Sequence, residues 1–207
     1  MMVDVAADEV FATSAAVRPG AVTLVRHGEP DISRKVRLSA AEYRDWWAAY
    51  ETRGLLAGQS APEALKNLGR RADVLISSVR PRAIETAGAV CGDRAYVRHE
   101  LFVEAPLPPP RWPGSIRLSP RLWGFIARVW WWFLDHHEGG ESRAQAERRA
   151  DEAAALLAEH ASRGQDVLVV AHGFFNGMVG ESLKRRGWRC AEDQGFKYWC
   201  ARRFERS

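Results

Sequence analysis

A histidine between an arginine and a glycine follows an apolar run near the start of the chain, and this position favours chemistry on an anion. Residues Ala21 to Val25 form the run, and Arg26, His27 and Gly28 come directly after it. Open α/β folds bind ligands at the carboxyl ends of their strands, so these side chains would lie at the mouth of a sheet. A neighbouring positive charge disfavours protonation of an imidazole and keeps it nucleophilic, while a guanidinium fits a phosphate or carboxylate.

Two later apolar segments also end in polar and basic residues. Residues 73–76 lead into the segment 77–82, which reads Ser-Ser-Val-Arg-Pro-Arg, and residues 166–171 lead into His172. In a parallel sheet these strand ends converge on one crevice, which would hold both histidines and two or three arginines. Such a cluster is unfavourable unless an anion completes it. The sequence therefore predicts an anion-binding site.

These motifs, in this order, resemble the histidine phosphatase superfamily, with its phosphoglycerate-mutase-like fold, over most of the chain from about Val22. The resemblance rests on Arg-His-Gly-Glu from Arg26, on Ser-Ser-x-x-x-Arg-Ala-x-x-Thr-Ala from Ser77, and on His-Gly from His172. In that family the first histidine is phosphorylated during the reaction. The resemblance therefore implies that His27 is the nucleophile.

The same resemblance implies which residues hold the phosphoryl group. Arg26, Arg82 and His172 would form the cradle, and Gly28 and Ser33 are taken as further phosphate-binding residues. The family's second arginine corresponds to Arg82, which directly precedes Ala-x-x-Thr-Ala. Arg80 is left either as a charge at the pocket rim or as a solvated loop residue.

The predicted reaction also needs an acid, because an alkoxide leaves poorly unless it is protonated. In the family this acid follows the third strand in a Leu-x-x-Glu-like context, and the segment 101–104 places Glu104 there. Glu104 is therefore the predicted general acid. The alternative makes it a rim carboxylate paired with an arginine and gives the acid role to Glu100 or Asp31; Glu29 is a further candidate.

The implied function is metal-independent hydrolysis of a phosphomonoester through phospho-His27, because arginines supply the charge that magnesium would otherwise bring. The histidines and cysteines show no metal-ligand spacing, so no metal and no cofactor are predicted. Two differences from the phosphoglycerate mutases argue against mutase activity. Ser33 stands where the mutases usually carry asparagine, and prolines replace the Trp-Glu-Gly that commonly follows the acid. A catalytically silent phospholigand-binding protein and, less favoured, a phosphomutase stay as alternatives.

Composition sets the outer bounds. The 207 residues, 46% of them hydrophobic, fit a single domain, and the net charge of +4 comes with no basic run interleaved with aromatics, so nucleic acid is not an expected partner. The expected partner is a phosphorylated small molecule. Three unpatterned cysteines favour a reducing, cytoplasmic location, and no apolar run reaches the length of a membrane span. Residues 1–20 read as a short leader without a secretory signal.

Strand patterns alternate with helical ones, which predicts an α/β fold with a mostly parallel open sheet and helices on both faces. Capping boxes at Ser39 and Ser142 predict helices that run to about Leu56 and Arg163. The segment 195–204 is predicted to be a final edge strand.

Residues 106–138 form a proline- and tryptophan-rich stretch where the resemblance places a variable substrate cap. A helix over 122–134 is predicted to turn one stripe to the core and to point Trp131 away. That stripe consists of Leu122, Phe125, Ile126, Val129 and Phe133. Three explanations for the surplus tryptophans stay open: a thick core around the cap, a homodimer interface, and a pocket wall for an apolar leaving group or a membrane-surface contact.

Overall fold

The computed structural model describes residues 18–206 and places six strands in one mixed sheet. The strands are β1 (Val22–Arg26), β2 (Val74–Ser77), β3 (Val97–Arg98), β4 (Val167–Ala171), β5 (Trp188–Asp193) and β6 (Ala201–Arg206). Their order is β3-β2-β4-β1-β6-β5, with parallel pairing from β3 to β1 and antiparallel pairing of β6 with both neighbours. The mostly parallel α/β sheet that the sequence predicts is confirmed.

Six helices flank this sheet. They are α1 (Ala40–Thr52), α2 (Glu63–Arg71), α3 (Pro81–Cys91), α4 (Pro120–Leu134), α5 (Arg143–Ser162) and α6 (Gly173–Arg185). Both predicted capping boxes form, at Ser39 and Ser142. Helix α1 ends earlier than predicted because the chain then pairs with the segment after β1: the N–H of Leu56 donates to the carbonyl of Glu29 at 2.9 Å.

Helices cover both faces of the sheet because successive side chains of a strand point to opposite sides. Val22 and Leu24 of β1 belong to the core formed with α5 and α6. Val25 belongs to the second core, formed with α2 and α3. Five of the eight alanines of α5 (Ala146, Ala150, Ala153, Ala154 and Ala161) are buried, so this long helix packs closely against the sheet.

The prediction that the C-terminal strand lies at the edge is wrong. Strand β6 lies inside the sheet, between β1 and β5, and β5 forms the edge. The sequence gives no strand pattern for β5, because four of its six residues are exposed and three of these are charged, as an edge strand allows. The loop 194–200, which connects β5 to β6, therefore lies next to the end of β1.

The prediction for the tryptophan-rich helix is also wrong in its orientation. Helix α4 buries Trp123, Ala127 and Trp131, which recur every four residues, whereas Phe125 and Phe133 are 62% and 75% exposed. Apart from Arg121 and Arg128 the helix is apolar on every side, so hydrophobic contrast alone does not choose the buried face. Hydrogen bonds contribute to the choice: the indole N–H of Trp123 donates to the carbonyl of Leu38 at 2.6 Å, and that of Trp131 to the carbonyl of Glu141 at 3.0 Å.

Most of the expected leader lies outside the described residues, which begin at Arg18. Among the described helices, none combines the length and the apolar character that crossing a bilayer requires.

Candidate active site

The two histidines meet because β1 and β4 are parallel neighbours. Arg26 of β1 is in register with Ala171 of β4, and the N–H of His27 donates to the carbonyl of Ala171 at 3.0 Å. His27 and His172 each follow the last residue of their strand, so their ring centroids lie 5.1 Å apart. The predicted convergence of strand ends is present.

Backbone contacts select the reactive nitrogen of His27. Its Nδ1 lies 2.7 Å from the carbonyl oxygen of Gly28, which can only accept, so Nδ1 carries the proton. The Nε2 atom then presents a lone pair, 3.3 Å from Nε of Arg82 and 3.4 Å from the hydroxyl of Tyr50. Nε2 is the candidate nucleophile.

Burial and positive charge keep both histidines neutral. Burial lowers the pKa of His27 well below its usual value, and the charges of Arg82 and Arg26 lower it further. The pKa of His172 is also lowered well below its usual value, first by burial and then by Arg82. Neutral imidazoles are the form that nucleophilic attack on phosphorus requires.

Arg82 is fully buried and joins the two histidines. Its Nε faces His27, while its Nη2 lies 3.3 Å from Nδ1 of His172 and donates to Oε1 of Glu51 at 2.8 Å. The guanidinium also lies over the ring of Tyr50, 4.2 Å from the centroid, and donates to the carbonyl of that residue. Glu51 supplies the charge that makes burial of this arginine possible.

Tyr50 and Glu51 are functional candidates that the sequence reasoning missed. They lie in the last turns of α1, where their sequence indicates an ordinary helix. Glu51 also pairs with Arg80 at 2.7 Å, so Arg80 adds charge next to the site rather than standing free in a loop. A signal that could have found Glu51 is the need of a buried arginine for a carboxylate, although nothing in the sequence order shows which one.

His172 is oriented by a serine of the second strand end. Because Arg82 donates to Nδ1 of His172, the proton lies on Nε2, which is 2.9 Å from the hydroxyl oxygen of Ser78. The buried side chain of Ser78 therefore fixes the ring plane and the tautomer of His172.

Arg26 approaches from the end of β1 and is held by the loop 194–200. Its Nη1 donates to the carbonyl of Phe196, and its guanidinium lies 4.4 Å from the ring centroid of Tyr198. Within residues 18–206, its buried Nε has no hydrogen-bond partner. At Gly173 a Cβ atom would lie 3.1 Å from both Cδ and Nε of Arg26, so the glycine after His172 makes room for this arginine.

Glu104 lies at the N-terminus of α6, beside His172. Its Oε1 accepts from the N–H of Phe175 at 2.9 Å and its Oε2 from the N–H of Phe174 at 3.4 Å. These two backbone hydrogen bonds hold the Glu104 carboxyl group in place. Glu104 is half-buried and lines the cavity described below, whereas the alternative acids Glu29, Asp31 and Glu100 are exposed and do not line it.

The two remaining predicted phosphate ligands lie in different settings. The N–H of Gly28 already donates to the hydroxyl of Thr86 at 2.9 Å, and a Cβ there would lie 2.4 Å from the ring of Trp199. Ser33 is exposed, and its hydroxyl accepts from the N–H of Lys35. The next residue, Arg34, lines the cavity instead.

A cavity of about 650 Å³ opens in front of these groups. Arg26, Tyr50 and Glu104 line the part of the cavity where the reaction is expected, and Trp132 of α4 lies in its wall. Its other aromatic lining residues are Tyr43, Trp46, Trp47, Phe174 and Phe196. Three explanations were left open for the tryptophans. Trp123 and Trp131 lie in the core, and Trp132 lies in the pocket wall. In the part of the chain that is described, no cluster of side chains has the makings of a metal site.

The fold and the site define an α/β protein with two buried histidines and an arginine cradle at the carboxyl ends of its parallel strands. Residues 22–190 match the histidine phosphatase superfamily (branch 1), and the chain belongs to this family. Comparison with curated proteins gave no match.

Among solved structures, the chain is similar to a mutant phosphoserine phosphatase from Entamoeba histolytica in complex with phosphoserine, with 19% identity, a TM-score of 0.53 and 80% of each chain covered. It is also similar to a mycobacterial glucosyl-3-phosphoglycerate phosphatase, with 22% identity, a TM-score of 0.53 and 81% of each chain covered. At these identities the likeness concerns the fold.

Proposed function

We propose that this protein hydrolyses a phosphomonoester through a phosphohistidine on His27, without a metal ion. The observation that carries the proposal is the tautomer of His27, whose Nδ1 proton is held by the carbonyl of Gly28 at 2.7 Å while Nε2 faces Arg82. A nucleophile with a fixed lone pair beside a fixed positive charge suits attack on a phosphoryl group.

The reaction proceeds in two displacements. Nε2 of His27 attacks phosphorus, and the bond from phosphorus to the ester oxygen breaks. Arg26 and Arg82 hold the charge on the phosphoryl oxygens, and His172 joins them when its Nε2–H turns from the hydroxyl of Ser78 to a phosphoryl oxygen. Glu104, in its protonated form, gives its proton to the departing alcohol. As a carboxylate it then takes a proton from water, whose oxygen attacks phospho-His27 and releases inorganic phosphate.

Access to His27 requires movement of an aromatic side chain. His27 is only 1% exposed, and the rings of Tyr50 and Tyr198 lie beside it, with centroids 6.5 Å and 5.7 Å from its own. Tyr198 belongs to the loop 194–200, which also holds Arg26. We expect the ring of Tyr198 to move toward the cavity when substrate binds. This movement would expose His27 while Arg26 stays in place at the end of strand β1.

The silent-binder alternative receives less support than hydrolysis, because a binding protein needs the arginines but has no use for an Nε2 that is free to attack. Phosphomutase activity would need the product to be held for return of the phosphoryl group. A cavity of about 650 Å³ with an aromatic wall offers the released alcohol ample freedom.

A homodimer through the cap and a cytoplasmic location remain proposals. The outer face of α4 exposes Leu122, Phe125, Phe133 and Leu134, so an interface would use these side chains rather than the tryptophans. Size-exclusion chromatography with light scattering tests the dimer, and a monomer at micromolar concentration would contradict it. Cys91, Cys190 and Cys200 are free thiols, which is compatible with a reducing compartment.

The decisive experiment is release of phosphate from an aryl phosphate in the presence of a chelator, for the wild type and for His27→Ala. We expect metal-independent turnover that falls by about 10⁴-fold or more in the variant. Quenching with sodium dodecyl sulfate at alkaline pH during turnover should trap an alkali-stable, acid-labile phosphoprotein in the wild type alone. Binding of vanadate by a wild type that shows no turnover on any monoester would favour the silent binder.

A further inference from the structure

The cavity carries more positive charge than a single phosphate requires. Four of its arginines form no ion pair with any residue between 18 and 206: Arg26, Arg34, Arg121 and Arg128. Two other lining carboxylates are already neutralised, since Glu147 pairs with Arg143 and Glu181 with Lys184, each at 2.8 Å. Glu104 and one phosphate dianion together leave one of these four charges uncompensated, which an occupant with a further negative group would neutralise.

The unpaired arginines of the cavity do not all lie close to His27. Arg26 and Arg34 lie near His27, and both lower its pKa. Arg128 projects from α4 instead and lies near Tyr43 of α1. A Cβ atom at Gly124 would lie 3.4 Å from the hydroxyl of Tyr43 and 3.9 Å from Nη1 of Arg128, so both groups border one small space.

Both groups at this second position lack partners. The buried hydroxyl of Tyr43 and the buried Nε of Arg128 have no hydrogen-bond partner among the described residues. Tyr43 is fully buried between the rings of Trp46 and Trp123, which fixes its direction, and burial raises its pKa so that the phenol remains a donor. An unpaired buried donor destabilises the protein, and a ligand that accepts from it removes this cost.

Helix α1 sets the separation of the two ends. Tyr50, whose hydroxyl contacts Nε2 of His27, and Tyr43 are two turns apart on the same face of the helix, or about 10 Å along its axis. A three-carbon phosphate is too short to bridge this interval.

The interval is lined by aromatic rings. Trp46 and Trp47 each stack against Tyr50, with ring centroids 5.4 Å and 5.0 Å apart, and form one wall. Phe174 and Trp132 lie in the lining contributed by α6 and α4. Such walls favour a flat apolar body over a hydrated polyol.

We propose that Arg128 and Tyr43 form a second anion subsite, and that the substrate is an elongated monoester with a phosphate at one end, a flat apolar middle and a carboxylate or second phosphate at the other. This rests on the proposed function for the identity of the reacting end. The subsite itself is a matter of binding and is tested without turnover.

The test uses four non-hydrolysable phosphonates in isothermal titration calorimetry. They are biphenyl-4-ylphosphonate, its 4′-carboxy derivative, the shorter 4-carboxyphenylphosphonate, and phenylphosphonate. We expect the wild type to bind the carboxybiphenyl compound at least tenfold more tightly than biphenyl-4-ylphosphonate. The short compound should gain nothing over phenylphosphonate, because its carboxylate stops before Arg128.

Variants assign the gain to the two residues. Arg128→Met should reduce the tenfold ratio to about one, and Tyr43→Phe should reduce it in part, with biphenyl-4-ylphosphonate bound as before. The matched control is Arg185→Met, which removes a lining arginine that is already paired with Asp151 at 2.8 Å; the ratio should persist. Equal binding of the two biphenyl compounds by the wild type, or no binding of either, would overturn the subsite.

The two proposals fail separately. A wild type that shows the tenfold ratio but no phosphohistidine and no turnover would disprove hydrolysis and retain the second subsite. A wild type that turns over an aryl phosphate but lacks the tenfold binding ratio would retain hydrolysis and disprove the second subsite.

Discussion

Nε of Arg82 lies 3.3 Å from Nε2 of His27, and neither side chain is more than 1% exposed. Burial lowers the pKa of His27, and a permanent cation at this distance lowers it further. In the proposed reaction, the arginine prepares the nucleophile before any substrate binds and then stabilises the charge that develops on the phosphoryl group.

The lowered pKa values of His27 and His172 predict a loss of stability in mild acid. The unfolded chain binds protons at these histidines below their ordinary pKa of 6.5, whereas the folded protein does not. The free energy of unfolding should therefore be unaffected above about pH 7 and should fall as the pH drops below 6.5, by about 1.4 kcal/mol per pH unit for each histidine. Urea denaturation between pH 5 and 8 measures this slope.

A variant separates these histidines from the other titrating groups. His172→Gln removes one of the two ionisations, and its slope between pH 5 and 6.5 should be shallower than that of the wild type. An unchanged slope would show that other groups cause the acid sensitivity.

Replacement of Arg82 by lysine should impair catalysis while the charge is kept. Lysine lacks the planar fork with which Arg82 reaches His27, His172 and Glu51 at once. We expect kcat/KM to fall by about 10²–10³-fold. Arg80→Lys is the matched control, because Arg80 shares Glu51 but does not bond to either histidine; a similar loss there would contradict the assignment.

Gly173→Ala tests the placement of Arg26. The added methyl would lie 3.1 Å from Cδ and Nε of Arg26 and must displace that side chain. Misplacement of a catalytic group by about 1 Å costs up to about 100-fold, so kcat/KM should fall by about 10- to 100-fold.

The control for this prediction lies one turn further along α6. A Cβ at Gly177 would lie 3.6 Å from the ring of Phe196, an ordinary contact. Gly177→Ala should retain activity and raise the free energy of unfolding by up to about 1 kcal/mol through helix propensity. Equal loss of activity in both variants would show that the helix, rather than Arg26, is disturbed.

Glu104→Gln should slow hydrolysis most for esters with poor leaving groups. The amide retains the shape but cannot give up a proton, so we expect kcat to fall by about 10²–10⁴-fold on an alkyl phosphate and by much less on p-nitrophenyl phosphate. Glu100→Gln, at an exposed position, should leave both rates unchanged. A uniform loss on both substrates for Glu104→Gln would assign Glu104 a binding role.

Much of the site could be predicted from the sequence because the parallel sheet places the ends of its strands next to one another. His27 and His172 each follow a buried strand, and parallel pairing brings such residues together whatever the rest of the chain does. The capping boxes at Ser39 and Ser142 were equally readable, since each depends on residues three positions apart.

The partners of Arg82 could not be predicted in this way. Glu51 and Tyr50 come from a helix that precedes Arg82 by about thirty residues, and their contact depends on how α1 lies across the end of the sheet. The orientation of α4 was predicted wrongly for a similar reason. Trp131 is buried and Phe133 exposed because carbonyl acceptors and neighbouring rings lie on one side only.

By itself the sequence determined the α/β order, the strand ends and the residue types that meet an anion, because these follow from local periodicity and from the geometry of parallel sheets. Only the tertiary structure decided which nitrogen of His27 is free, which carboxylate compensates Arg82, and which of Trp123, Trp131 and Trp132 line a cavity. These features depend on contacts between segments far apart in the chain, where distance and direction decide the chemistry and residue order does not.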